Sequence, residues 1–180
     1  MADFKDRIIR AAKLDPNLYE EVEADKGAMG QAMGVVVLSS VAAGVGSTAS
    51  GGVTGILIGT ISALVGWYIW AYLTYFVGTK LLPEPQTESN PGELLRTIGF
   101  SSSPGLIRIL GVIPGLAGVV FLVAAIWMLV AMVIAVRQAL DYQSTWRAVG
   151  VCAIGWVIQV AVLMLFLSIF GGSVETAHGF

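Results

Sequence analysis

Apolar positions run almost unbroken through three long stretches of the chain. No Asp, Glu, Lys, Arg or His stands between Lys26 and Lys80, from Ile109 to Val136, or from Ala148 to Val174. Crossing a bilayer takes about 20 apolar residues at a rise of about 1.5 Å each. The first stretch has room for two helices and each of the others for one. A further stretch, over residues 94–113, is apolar apart from hydroxyls and two arginines. The pattern predicts an all-α, polytopic bundle of five spans, at about 28–45, 53–79, 94–113, 116–136 and 148–170. Residues 1–27 are left as a short cytoplasmic arm and 171–180 as a tail.

The arm reads as two amphipathic helices. Phe4, Ile8, Ala11 and Ala12 recur at helical spacing. Asp15 then suits an N-cap and Pro16 the first helical position. Leu18 and Val22 continue an apolar face beneath several acids. Two readings follow: a helix pair lying at the membrane interface, or a docking surface for a cytosolic partner formed by Asp15, Pro16, Leu18 and Tyr19. The acidic face disfavours contact with anionic lipid.

The basic residues orient the chain. With the N-terminus in the cytoplasm, Lys5, Arg7, Arg10, Lys13, Lys26, Lys80, Arg96 at the inner end of span three, Arg137 and Arg147 all lie on the inside, and Arg108 falls deeper within that span. Five spans with the C-terminus outside satisfy the positive-inside rule. The N-terminus holds too many charges for a cleavable signal. Composition agrees: 56% of residues are hydrophobic and 12% charged, with a mean hydropathy of +0.81. A pI near 5.3 argues against nucleic acid. The single cysteine, Cys152, reads as a small core residue.

Within span two, Gly51, Gly55, Gly59 and Ala63 recur every four residues, forming a small-residue stripe that lets helices approach closely. Gly30 and Gly34 offer a notch on span one. The stripe serves either packing between spans one and two or a dimer interface. Asn90-Pro91-Gly92-Glu93 reads as a capped helix start. In span three, Pro104 cannot donate to the carbonyl of Phe100, so a break is expected there. Ser101, Ser102 and Ser103 are positioned to satisfy the freed backbone. Arg108 is a charge within a span. It either snorkels to the outer interface or binds an anion, a lipid phosphate or a partner carboxylate. Gln31 and Gln159 are expected to bond across helices.

Three motifs carry a family resemblance. They are Gly99-Phe100-Ser101-Ser102-Ser103-Pro104, Asp15-Pro16-Asn17-Leu18-Tyr19, and the passage from Ile126-Trp127 through Ala135-Val136-Arg137 to Trp146-Arg147-Ala148. The first resembles the Gly-aromatic-Ser/Thr-x-x-Pro motif of the YIP-type (Ypt/Rab-interacting) proteins, in their short prokaryotic branch. The second sits where that family has a Pro or Asp-Leu-Tyr element before its first span. The third is similar to its passage from span four to span five. The resemblance implies five spans and a cytoplasmic N-terminus. Rab-type GTPase binding does not carry over, because the arm is far shorter than in the eukaryotic members and Pro16 and Asn17 interrupt the Asp-Leu-Tyr element.

The inventory of chemistry predicts no enzyme. The one histidine, His178, lies near the chain end. No metal-ligand spacing, P-loop or cofactor motif is present, and the serines of span three have no base nearby in sequence. The expectation is a membrane scaffold or interaction protein that contacts lipid and self-associates or binds other membrane proteins. The alternatives are a small transporter or channel built on the broken span and Arg108, and an accessory subunit of a larger membrane complex. The expected location is a prokaryotic cytoplasmic membrane.

Overall fold

The computed structural model describes residues 3–47 and 52–170. Among these the chain is helical, with no strand. Helix α1 covers Phe4–Ala12 and α2 covers Pro16–Ala24. A single 3₁₀ turn leads into α3, Met29–Gly46, and α4 covers Gly52–Phe76 before loosening into a π turn. Helix α5 is short, Pro91–Phe100, and is followed by a 3₁₀ segment, Ser103–Val112. Helices α6, Ala117–Ala139, and α7, Thr145–Phe170, complete the chain.

The ends of these elements follow from local chemistry. Asp15 accepts from the Asn17 amide at 3.0 Å and Pro16 opens α2. Asn90 and Glu93 close a reciprocal capping box at the start of α5, with Asn90 accepting from the amides of Gly92 and Glu93. Helix α5 stops at Phe100, four residues before Pro104, as the missing donor requires. Gly115, at φ 84°, turns the chain from the 3₁₀ segment into α6.

Four stretches are long and apolar enough to cross a membrane: Lys26–Gly46, Gly52–Leu81, Ala117–Ala139 and Thr145–Val162. The stretch read from sequence as span three has a different construction. It is α5, a turn at Ser101 and Ser102, and then the 3₁₀ segment. Helix α5 is the centre of the molecule: Leu94 to Phe100 are all buried, and α1, α2, α3, α4 and α6 pack around it.

Lipid supplies no hydrophobic drive between apolar helices, so close backbone approach carries much of the packing. Here it comes from a ladder of small residues. A Cβ at Gly99 would stand 2.7 Å from Ala32 Cβ, and one at Gly105 would overlap Ser39 Oγ. One at Gly46 would overlap the Arg108 carbonyl, while Gly111 packs on the Gly46 carbonyl. On α3 the rungs Ala32, Ser39 and Gly46 are seven apart, two α-helical turns of about 10.5 Å. On the facing strand of chain they are Gly99, Gly105 and Gly111, six apart. Gly105 to Gly111 lies within the 3₁₀ segment, where six residues make two turns of about 12 Å, close to the α3 interval, while Gly99 to Gly105 spans the end of α5 and the break.

The same contacts give directions. Helix α3 and the α5–3₁₀ segment run parallel. Helix α4 is antiparallel to α3, with Ile56 against Gly44 and Thr60 bonded to Ser40. Helix α6 is antiparallel to the 3₁₀ segment, with Met128 beside Gly105 and Phe121 beside Gly111. Helix α7 is antiparallel to α4, with Gly155 beside Trp70 and Gly150 beside Leu82.

This packing corrects the expectation for the span-two stripe. A Cβ at Gly30, Gly55 or Gly59 meets nothing within 4 Å, and Gly34 faces Phe4 of α1. These glycines therefore do not join α3 to α4; Gly44 against Ile56 does. Ala63 is half-buried against the core, and Gly51 lies outside the described residues.

The arm is likewise not a free handle. Leu18 and Tyr19 are fully buried, so they form no partner surface while the arm is docked. Asp15 is held by Arg10 at 2.9 Å, and Pro16 is exposed. Arg7, only 4% exposed, fixes the arm in place. It donates to Glu21 (2.9 Å), Asp25 (2.8 Å) and Gln31 of α3 (2.9 Å). Arg10 adds a bond to Glu21 at 2.5 Å. Trp127, halfway along α6, donates its indole N–H to the Ala12 carbonyl at 2.8 Å, and Gln138 donates to Glu20 at 2.6 Å.

Candidate functional site at the break in the third apolar segment

The break places four of the predicted site residues at one depth. Ser101 is buried and donates its hydroxyl to the Ile98 carbonyl at 2.7 Å, as expected of a serine beside an interrupted helix. Pro104 and Gly105 are buried against neighbouring chain. Ser103 is 2% exposed and its hydroxyl has no partner among the described residues. Ser102 is half-buried and faces a cleft.

Arg108 turns inward, away from the outer turn. Its backbone lies against Gly46, but its guanidinium reaches back along α3 to Ser39. Nη2 donates to Ser39 Oγ at 2.7 Å and to the Ser39 carbonyl at 3.2 Å, and Nε donates to the Gly105 carbonyl at 3.0 Å. All three acceptors are neutral. Among the described residues no carboxylate pairs with this cation.

One hollow adjoins the break and a second lies farther off, between α6 and α7. A cleft of about 260 Å³ is lined by Ser39 and Ser40 of α3, Trp67 and Trp70 of α4, Ser102, and Gln159 of α7. Trp67 donates its indole N–H to the Leu95 carbonyl at 3.0 Å, whereas the Trp70 indole N–H has no partner among the described residues. A larger apolar groove of about 1030 Å³ runs between α6 and α7. Trp70 and Met132 line both hollows. Gln31 bonds across helices to Arg7; Gln159 makes no such bond among the described residues.

The end of the bundle that carries the arm has different electrostatics. The arginines hold the carboxyls of Glu21, Asp15 and Asp25 below the usual range, through hydrogen bonds from Arg10, Arg10 and Arg7 respectively. Glu23 goes the other way. Burial, followed by the nearby Asp141, Glu20 and Glu93, pushes it up to about 8. Arg96, itself buried, opposes this only weakly, because it donates to the carbonyls of Val22 (2.8 Å) and Glu23 at the end of α2. Arg7, Arg96 and Glu23 did not stand out in the sequence, since each reads there as one more surface charge.

Among the described residues no group of His, Cys, Asp and Glu is arranged to hold a metal ion. Residues 23–169 match the family model described as the Yip1 domain. No curated protein and no solved structure matches the chain.

Proposed function

The chain belongs to the Yip1 family, and from that premise we propose that it works in the membrane as a non-catalytic scaffold that binds other membrane proteins or further copies of itself. One observation carries this reading. The outward face of α4 around Gly55 and Gly59 is exposed and has open space where side chains would stand. A small-residue face of this kind accepts another helix at short range.

The reading includes five crossings, with the N-terminus and nine of the ten basic residues on the cytoplasmic side. The α5–3₁₀ segment supports the odd number. Ten α residues and ten 3₁₀ residues extend about 35 Å, enough for a hydrocarbon core of about 30 Å. The segment also runs alongside α3 from Ala32 to Gly46. A prokaryotic cytoplasmic membrane is the proposed location.

Native mass spectrometry from mild detergent tests the scaffold role. The parent chain is expected as a defined oligomer or with stoichiometric partners. The double variant Gly55→Leu, Gly59→Leu is expected to fall to the free monomer. An unchanged mass distribution in that variant overturns the assignment. Cysteine-labelling reporters at both ends test the crossing number.

A further inference from the structure

The exposed apolar surface has different heights on two sides of the bundle. On α4 it runs from Val53 to Phe76, about 35 Å at the rise of an α-helix. On α6 it runs from Leu116 only to Val130, about 21 Å. From residue 131 to Ala139 no position of α6 is exposed.

The arm explains where the α6 belt stops. The Trp127 indole N–H bonds to the Ala12 carbonyl, and Gln138 bonds to Glu20. The turn between α1 and α2 therefore stands beside the middle of α6, and α2 rises along α6 towards Ala139. Trp127 lies about 18 Å from Ala139 along the helix. Lys13, next to Ala12, is exposed, and so is Asn17 at the start of α2. The ion pair of Arg10 with Asp15 at this turn is itself partly exposed. A lysine side chain snorkels over only part of that depth.

A hydrocarbon core of about 30 Å matches the α4 side and overshoots the α6 side by about 10 Å. A flat bilayer would thus sink Lys13 and the Arg10–Asp15 pair in hydrocarbon. Lipid adapts to a short apolar belt by thinning, and each ångström of mismatch costs a fraction of what an ionised group in hydrocarbon does. We propose that the arm side of the bundle binds phospholipid headgroups at about half the depth of α6. The leaflet on that side is thinned by about 10 Å, while the α4 side keeps the full thickness. Headgroup phosphates meet Lys13, and the acyl chains meet the belt that ends at Val130. The inference rests on α4 and α6 crossing the membrane, which belongs to the reading above, and needs neither the scaffold role nor a fifth crossing.

Quenching at two positions of equal height tests it. Gly105 packs on both Ser39 and Met128, and Ser40 bonds to Thr60. Val130 of α6 and Ile61 of α4 therefore lie within about 5 Å of each other in height, and both are exposed. Val130→Cys and Ile61→Cys, each with Cys152→Ala, are labelled with bimane. The full chain is placed in phosphatidylcholine nanodiscs that carry a nitroxide either on the headgroup or deep in the acyl chain. The Ile61 label is expected to be quenched severalfold more by the chain nitroxide, and the Val130 label severalfold more by the headgroup nitroxide. Lys13→Leu should shift the Val130 ratio severalfold towards the chain nitroxide. Equal ratios at the two positions overturn the thinning, and so does a Val130 ratio that Lys13→Leu leaves unchanged. A Val130 label that neither nitroxide reaches overturns it in favour of a protein cover, such as a second copy. An Ile61 label quenched mainly from the headgroup refutes the crossing of α4 itself, and the thinning falls with it.

Discussion

The guanidinium of Arg108 donates to Ser39 Oγ at 2.7 Å, two turns of α3 away from Gly46, where the backbone of Arg108 itself packs. The side chain thus reaches into the bundle to neutral acceptors only. Removing it leaves no orphaned charge. A charge within a span costs about 2.5–3.5 kcal/mol on insertion scales, and an apolar side chain of similar length avoids that cost. Arg108→Met is therefore expected to fold with a melting temperature in detergent equal to or above that of the parent. A clear drop would mean that the arginine holds the break together.

Arg7 should behave in the opposite way. It is almost fully buried and pairs with two carboxylates and Gln31 at once. Arg7→Met strands Asp25 and leaves Glu21 with Arg10 alone. Loss of one partner of a buried pair typically costs about 3–5 kcal/mol, and the partial exposure of both acids brings the expectation to roughly 2–3 kcal/mol. Arg7→Lys should recover little, since one ammonium cannot serve three acceptors in a planar fork. Thermal unfolding of the two variants beside the parent measures this.

Two glycines separate fold from assembly. Gly46 has no room for a Cβ because the Arg108 carbonyl occupies the place, whereas Gly55 faces open space. Gly46→Ala is expected to destabilise the bundle by about 1–3 kcal/mol, the usual cost of overpacking. Gly55→Leu is expected to leave unfolding unchanged and alter only the oligomer or partner set. Equal losses of stability in both variants would contradict the packing ladder as the source of the difference.

The apolar stretches, the caps at Asp15 and Asn90 and the break before Pro104 were legible because each depends on chemistry within a few residues. The partner of each glycine stripe was not. Gly55 and Gly59 carry the familiar four-residue spacing, yet the chain packs through Ala32, Ser39 and Gly46 on Gly99, Gly105 and Gly111. That match becomes visible only once the segment after Pro104 is known to be 3₁₀, since a six-residue repeat is meaningless on an α-helix. The candidate site was half legible. Ser101 to Pro104 and Arg108 announced themselves, but the inward turn of Arg108 and the hollow beside Ser102 depend on contacts with α3, α4 and α7. The arm was misread for a physical reason: Leu18 and Tyr19 on an acidic helix suggest an exposed apolar patch, until Arg7 and Arg96 are seen to neutralise and cap that helix from within.

Docking of the arm should depend on pH through Glu23. Its ordinary value near 4.5 is raised to about 8 by burial and by Asp141, Glu20 and Glu93. Between about 4.5 and about 8 the docked arm therefore holds a proton that the released arm has lost, and docking weakens as pH rises through that window. The contribution is complete below about 4.5. Asp15, Glu21 and Asp25 act with the opposite sign: their carboxyls are depressed, so their contribution is present above the ordinary carboxylate range and is lost on acidification. The two slopes meet near pH 5, at about which docking is tightest. Electron spin distance measurements between labels at Asn17 of α2 and Glu88 of the loop before α5 report this, because both positions are exposed. One narrow distance is expected near pH 5 and a second, broad population near pH 8.5. Glu23→Gln, a permanent mimic of the protonated acid, should hold the narrow distance throughout. Identical distributions for the parent across that range would remove Glu23 as the latch.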